Sequence, residues 1–194
     1  MRSFKTTAFA AALTASALMP LAPLQAAPGH SGGHGHGHGS AAIGEPGKAA
    51  EASRTVTIVM GDNYYEPERI EVSAGETIRF IVQNKGEFLH EFNIATPEMH
   101  AAHQKEMAVM FEHGMLTPTR IDHEMMKMDH SKMGMSHSRK HDDPNSVLLE
   151  PGQSGELVWK FPSSGTLEFA CNIPGHYETG MVGAVQFRAG SARK

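Results

Sequence analysis

Three side chains with metal-binding chemistry recur at equal spacing near the C-terminal end of the chain: Cys171, His176 and Met181. A thiolate, an imidazole and a thioether in a Cys-x4-His-x4-Met run are three of the four donors of an electron-transfer copper centre. That centre takes one Cys and two His near a plane, with a weak axial Met. Cu(I) prefers soft, low-coordinate ligands and Cu(II) prefers tetragonal nitrogen and oxygen donors. A rigid set that suits neither fully needs little reorganisation when an electron moves. Zn(II) would also accept two His and one Cys; the poorly donating thioether in series with them points to copper. The missing imidazole must come from elsewhere, and His90 is the candidate.

The elements that must position these donors are strands. Pro174, Gly175 and Gly180 let the donor loop turn tightly between two strand-like runs, residues 166–170 and 182–188. His90 opens the run Glu91, Phe92, Asn93, Ile94, after a long strand pattern at residues 76–84 and a turn at Lys85, Gly86 and Glu87. Ile78, Phe80 and Val82 share one face of that strand, the period-2 pattern of a half-buried sheet. Further strands are expected at residues 55–60, 70–72, 146–149 and 157–161, with a turn at Gly61, Asp62 and Asn63 and Trp159 as a core or sheet-face residue.

Taken in order, Tyr64, Tyr65, Glu66 and Pro67, the strand pattern from Ile70 to Phe80, His90 with Glu91, Phe92, Asn93 and Ile94, and then the Cys-His-Met loop make a recognisable series. It resembles a cupredoxin of the plastocyanin and azurin superfamily, and within that group is similar to periplasmic copper-tolerance cupredoxins of the CopI type. The resemblance covers about residues 54–96 and 146–189. It implies an all-β, Greek-key β-sandwich with one type 1-like copper bound by His90, Cys171, His176 and Met181. Many cupredoxins follow the first His with a small polar residue that braces the Cys loop; Glu91 departs from that pattern.

Arg2 and Lys5 precede an apolar, Ala-rich run ending at a small-residue site, Leu24-Gln25-Ala26, which reads as a secretory signal peptide over residues 1–26 and a periplasmic destination. No later segment is apolar enough to span a bilayer, so the mature chain is expected to be a soluble monomer. Removing residues 1–26 leaves 15 basic side chains against 21 acidic ones, a net charge of −6. That balance argues against nucleic acid, whose phosphates call for basic patches. Cys171 is the single cysteine, so no internal disulfide can form, and metal ligation explains why an exported chain keeps an oxidisable thiol.

Residues 27–53 are expected to be a disordered His/Gly-rich tail and linker, because alternating Gly and His cannot bury a core. Within it His34, His36 and His38, with His30, could chelate Cu(II). The cupredoxin domain, residues 54–190, is interrupted at residues 97–145 by a partly helical insertion. It carries nine Met and seven His between Met99 and His141. Thr96, Pro97 and Glu98 form a good helix start and Gly114 a stop. Met99, His103, Met107 and Met110 recur along one stripe of that helix, which fits a lid packed on the sandwich. Beyond Gly114 the apolar content falls. Met125, Met126, Met128, His130, Met133, Met135 and His137 are expected on a solvated loop, where soft thioethers and imidazoles suit accessory copper.

These features support a copper-binding protein of the periplasm that serves copper tolerance by binding, redox-cycling or handing on copper ions. Its partner would be a periplasmic redox or copper-export protein. A second reading is an electron shuttle between respiratory partners. A third is an enzyme component that oxidises Cu(I). Multicopper oxidases also carry His-x-His pairs, but couple their centres through a His-Cys-His triplet. Here Ala170 and Asn172 flank Cys171, so the protein is not expected to act alone as an oxidase.

Overall fold

The structure, a computed structural model, describes residues 40–127 and 143–188. Ten strands form two five-stranded sheets. The first runs β1 (Glu45–Pro46), β8 (Ser154–Lys160), β5 (Thr77–Asn84), β2 (Arg54–Gly61) and β3 (Tyr64–Glu66). The second runs β4 (Arg69–Val72), β10 (Val182–Phe187), β9 (Leu167–Ala170), β6 (His90–Ala95) and β7 (Ser146–Leu149). The strands foreseen from period-2 patterning all form. Along β5, Ile78, Phe80 and Val82 are fully buried, whereas Arg79, Ile81 and Gln83 are half-buried, as alternation requires. Aromatic rings fill the space between the sheets: Phe92 stands 5.3 Å from both Phe80 and Phe169, and Tyr65 lies edge-on to Phe169 at 5.1 Å.

Strand β6 departs from alternation, with all six of its residues buried. One face packs into the sandwich; the other is covered by the helix that follows the strand. Helix α2 (Pro97–Glu112), second in the chain after the short α1 (Ser40–Ile43), begins where expected, with the Thr96 hydroxyl accepting from the Met99 amide at 3.3 Å and Pro97 in its first turn. It buries His100, Met107 and Met110. The chain then folds back: the Leu89 amide donates to the Pro118 carbonyl at 2.7 Å, and the Ile121 amide donates to Glu150 at 2.9 Å.

The segment expected to be linker up to residue 53 differs. From Ile43 onward it is docked on the first sheet, because Ile43 is an apolar side chain that finds a buried site, and the Trp159 indole N–H donates to its carbonyl at 2.8 Å. Strand β1 then pairs antiparallel with β8 through Glu45 and Lys160. The expected signal peptide and the His34, His36 and His38 tail lie outside the described residues.

Candidate metal centre

Two strands and one loop bring the donors together. His90 is the first residue of β6, Cys171 directly follows β9, and these strands are antiparallel neighbours. The loop after Cys171 is a chain of tight turns: His176 N–H to Ile173 O at 2.9 Å, Gly180 N–H to Tyr177 O at 3.0 Å and Met181 N–H to His176 O at 3.0 Å. Gly175 (φ 88°) and Gly180 (φ 99°) supply the left-handed conformations those turns need. The Cys171 amide donates to the Met181 carbonyl at 3.2 Å and closes the loop at its base.

The ligating atoms of His90, Cys171 and His176 all lie within 4.8 Å of one another, and Cys171 Sγ is 3.4 Å from His176 Nδ1. Met181, the fourth donor expected from the sequence, is fully buried. His90 Nε2 is 2.9 Å from Asp62 Oδ1. A carboxylate can only accept, so the ring proton sits on Nε2 and the lone pair on Nδ1. That Nδ1 is buried and has no hydrogen-bond partner. A buried acceptor left orphaned costs stability in the absence of a partner, and beside a thiol and a second imidazole the fitting partner is a metal ion. Soft sulfur with borderline nitrogen suits copper.

The electrostatics agree. Burial lowers both His90 and His176, although the Asp62 hydrogen bond opposes this at His90, so both rings stay neutral and able to ligate near neutral pH. Burial pushes the Cys171 thiol up to about 12. A cation at the site would favour the thiolate, as would the Glu91 amide, which donates to Sγ at 3.3 Å.

Glu91 itself holds the site from behind. Its fully buried Oε2 accepts from the Asn172 amide at 3.2 Å and from Asn172 Nδ2 at 2.7 Å. Its Oε1 accepts from the Ser146 hydroxyl at 2.6 Å and faces His103 Nε2 at 3.0 Å. The residue that departs from the small polar pattern therefore braces the Cys loop, reaching it with a longer, charged side chain. His103 supplies the countercharge: burial alone would lower its pKa, but the Glu91 charge, hydrogen bonds to Glu106 and Glu91 and the Asp143 charge lift it to about 10. His100 adds a second tie from the same helix, Nδ1 to Asn172 Oδ1 at 3.1 Å.

Of the accessory residues, Met125 and Met126 begin a single 3₁₀ turn (Met125–Lys127), whose start is capped by Asp122 Oδ1 accepting from the Met125 amide at 2.9 Å. Both side chains are half-buried and pack against the core, which differs from the expected solvated loop because residues 115–127 fold back onto the sandwich. Met128, His130, Met133, Met135 and His137 lie outside the described residues. Sequence reasoning did not find Asp62, His100 or the role of Glu91. The signal for Glu91 was available: an acid beside Phe92 and Ile94 in a short strand needs a partner if the strand is covered on both faces.

A family model for the cupredoxin-like domain matches residues 39–100. The copper-resistant cuproprotein CopI of Pseudomonas aeruginosa is 59% identical over 145 residues, covering 73% of this chain and 80% of that protein. The protein of the same name from Rubrivivax gelatinosus is 38% identical over 160 residues, covering 82% and 81%. The solved structure of auracyanin B superposes with a TM-score of 0.52 over 78% of this chain and 96% of that one, at 18% identity, and so supports the fold. Ligand cluster, sandwich and sequence agree: the chain belongs to the CopI family of copper-resistant cuproproteins, within the cupredoxin-like proteins.

Proposed function

We propose that the protein is a periplasmic copper-binding cupredoxin that serves copper tolerance, with His90, Cys171, His176 and Met181 as ligands of one copper ion. The observation that carries this reading is the convergence of three ligating atoms within 4.8 Å around a buried imidazole nitrogen that has no other partner. Bound copper supplies a one-electron couple between Cu(I) and Cu(II). The chain's own part is to keep the ligand positions fixed across that change. The Glu91 carboxylate and the Glu91 amide anchor the Cys171 end of the loop, and the Cys171–Met181 backbone bond holds its far end. Little then has to move when the charge on the metal changes.

The tolerance role draws on the relatives' printed names and on the Met and His content of residues 99–141. Copper would be taken up in the periplasm and either redox-cycled at the buried centre or passed to an export partner. Expression of the protein in a copper-sensitive periplasm tests this. Tolerance should rise with the parent protein and fall back with Cys171→Ser; equal tolerance for the two contradicts the role.

A second reading, an electron shuttle, is favoured by one feature. Tyr64, the first residue of β3, and Phe88, in the turn before β6, are the exposed large apolar side chains among the described residues, close in sequence to Asp62 and His90. An apolar collar beside a metal ligand suits transient docking of a redox protein. Replacing both with Ser should slow electron exchange with a redox partner under the second reading and leave copper tolerance unchanged under the first.

A further inference from the structure

Asp62 lies outside the ligand set and reads in the sequence only as a turn residue, yet its carboxylate is built into the site. It sits in the turn between β2 and β3, where Asn63 takes a left-handed conformation (φ 68°). Oδ1 accepts from His90 Nε2 at 2.9 Å and from the Glu87 amide at 3.0 Å, and the Phe88 amide approaches the same oxygen at 3.4 Å. The carboxylate therefore fixes both the ring and the loop that leads into it.

Gly86 gives this contact its room. A Cβ built there would fall inside contact distance of Asp62 Oδ1 and lie 2.8 Å from His90 Nε2. The Gly86 backbone is not left-handed. What glycine provides at this position is space for the Asp62–His90 hydrogen bond, not conformational freedom.

We propose that Asp62 is a positioning residue that tunes the copper centre toward Cu(II). This rests on the reading of His90 as a ligand through Nδ1. A carboxylate on the far nitrogen fixes the tautomer and makes the ligating nitrogen a stronger donor. It also adds a negative charge next to the ligand shell. Both effects favour the more highly charged Cu(II), so the carboxylate lowers the reduction potential. A neutral acceptor in its place would keep the ring oriented and lose the charge.

The test is a spectroelectrochemical titration of the copper-loaded full chain, comparing the parent with Asp62→Asn and Gly86→Ala, with a urea unfolding midpoint measured for each apoprotein. Asp62→Asn should lose about ten-fold in Cu(II) over Cu(I) preference, a rise of about 59 mV for one electron. The thiolate-to-copper absorption should remain. Gly86→Ala should move the potential in the same direction by displacing the carboxylate, which covers the case in which Asp62→Asn fails to fold. A coloured variant of either kind whose potential stays at or below that of the parent overturns the proposal, whatever its unfolding midpoint. Absence of thiolate absorption in the parent would instead overturn the ligand assignment, so the two failures are distinguishable.

Discussion

The Glu91 carboxylate stands 3.0 Å from His103 Nε2, and through this pair the helix of the insertion is tied to the strand that carries His90. Glu91 is fully buried and in turn holds Asn172, the residue after Cys171. Helix α2 is thus part of the frame that shapes the proposed centre. A deletion meant to probe copper capture must spare α2.

Removing one member of this pair should be costly. Glu91→Ala or His103→Ala removes one side of a buried charge pair, which typically costs about 3–5 kcal/mol. The Glu91→Ala/His103→Ala protein should lose less than the sum of the two single changes. Urea unfolding of the apoproteins measures the coupling; strict additivity would mean that the two side chains act independently.

The same pair sets a pH dependence. His103 has an ordinary value of 6.5 and is lifted to about 10 in the folded protein, so folding binds a proton between these values. Its stabilising contribution is complete below pH 6.5 and is lost as pH rises through 10. Within that window stability should fall by about 1 kcal/mol per pH unit more than in His103→Gln. Parallel pH profiles for the parent and His103→Gln would contradict this.

The docked segment before β2 makes a smaller prediction. Trp159→Phe keeps the ring in the core but removes the indole donor to the Ile43 carbonyl. The expected loss is about 1 kcal/mol, with faster amide exchange confined to residues 43–53. Uniform exchange across the sandwich would place the Trp159 contribution in packing instead.

The proposed accessory copper residues can be tested apart from the centre. Changing Met128, His130, Met133, Met135 and His137 together to Ser leaves α2, His103 and the half-buried Met125 and Met126 in place. Metal analysis should then show a lower copper-to-protein ratio at saturation, with visible absorption unchanged. An unchanged ratio would remove these residues from copper capture.

Much of this architecture was legible because β-sheet patterning is local. Ile78, Phe80 and Val82 announce their strand by alternation, and Thr96 and Pro97 announce the helix start. The candidate donors His90, Cys171 and His176 were legible because their chemistry is rare and their order informative. What escaped were contacts between distant segments with ordinary side chains. Asp62 reads as a turn residue, and nothing in its neighbours points to an imidazole 28 positions away. Ile43 looked like part of a linker because a single apolar residue among Ala, Gly and Pro carries no period, though its docking decides where the sandwich begins. Glu91 and His103 were each visible, but their pairing depends on how α2 crosses β6.

The central claim is that Cys171, with His90, His176 and Met181, holds copper as a thiolate. The visible spectrum of the copper-loaded protein beside that of Cys171→Ser tests it most directly. The account predicts an intense thiolate-to-copper band in the parent, saturating at one copper per centre, and none in the variant. A band that survives loss of the thiol, or a copper-loaded parent that shows no such band, would contradict it.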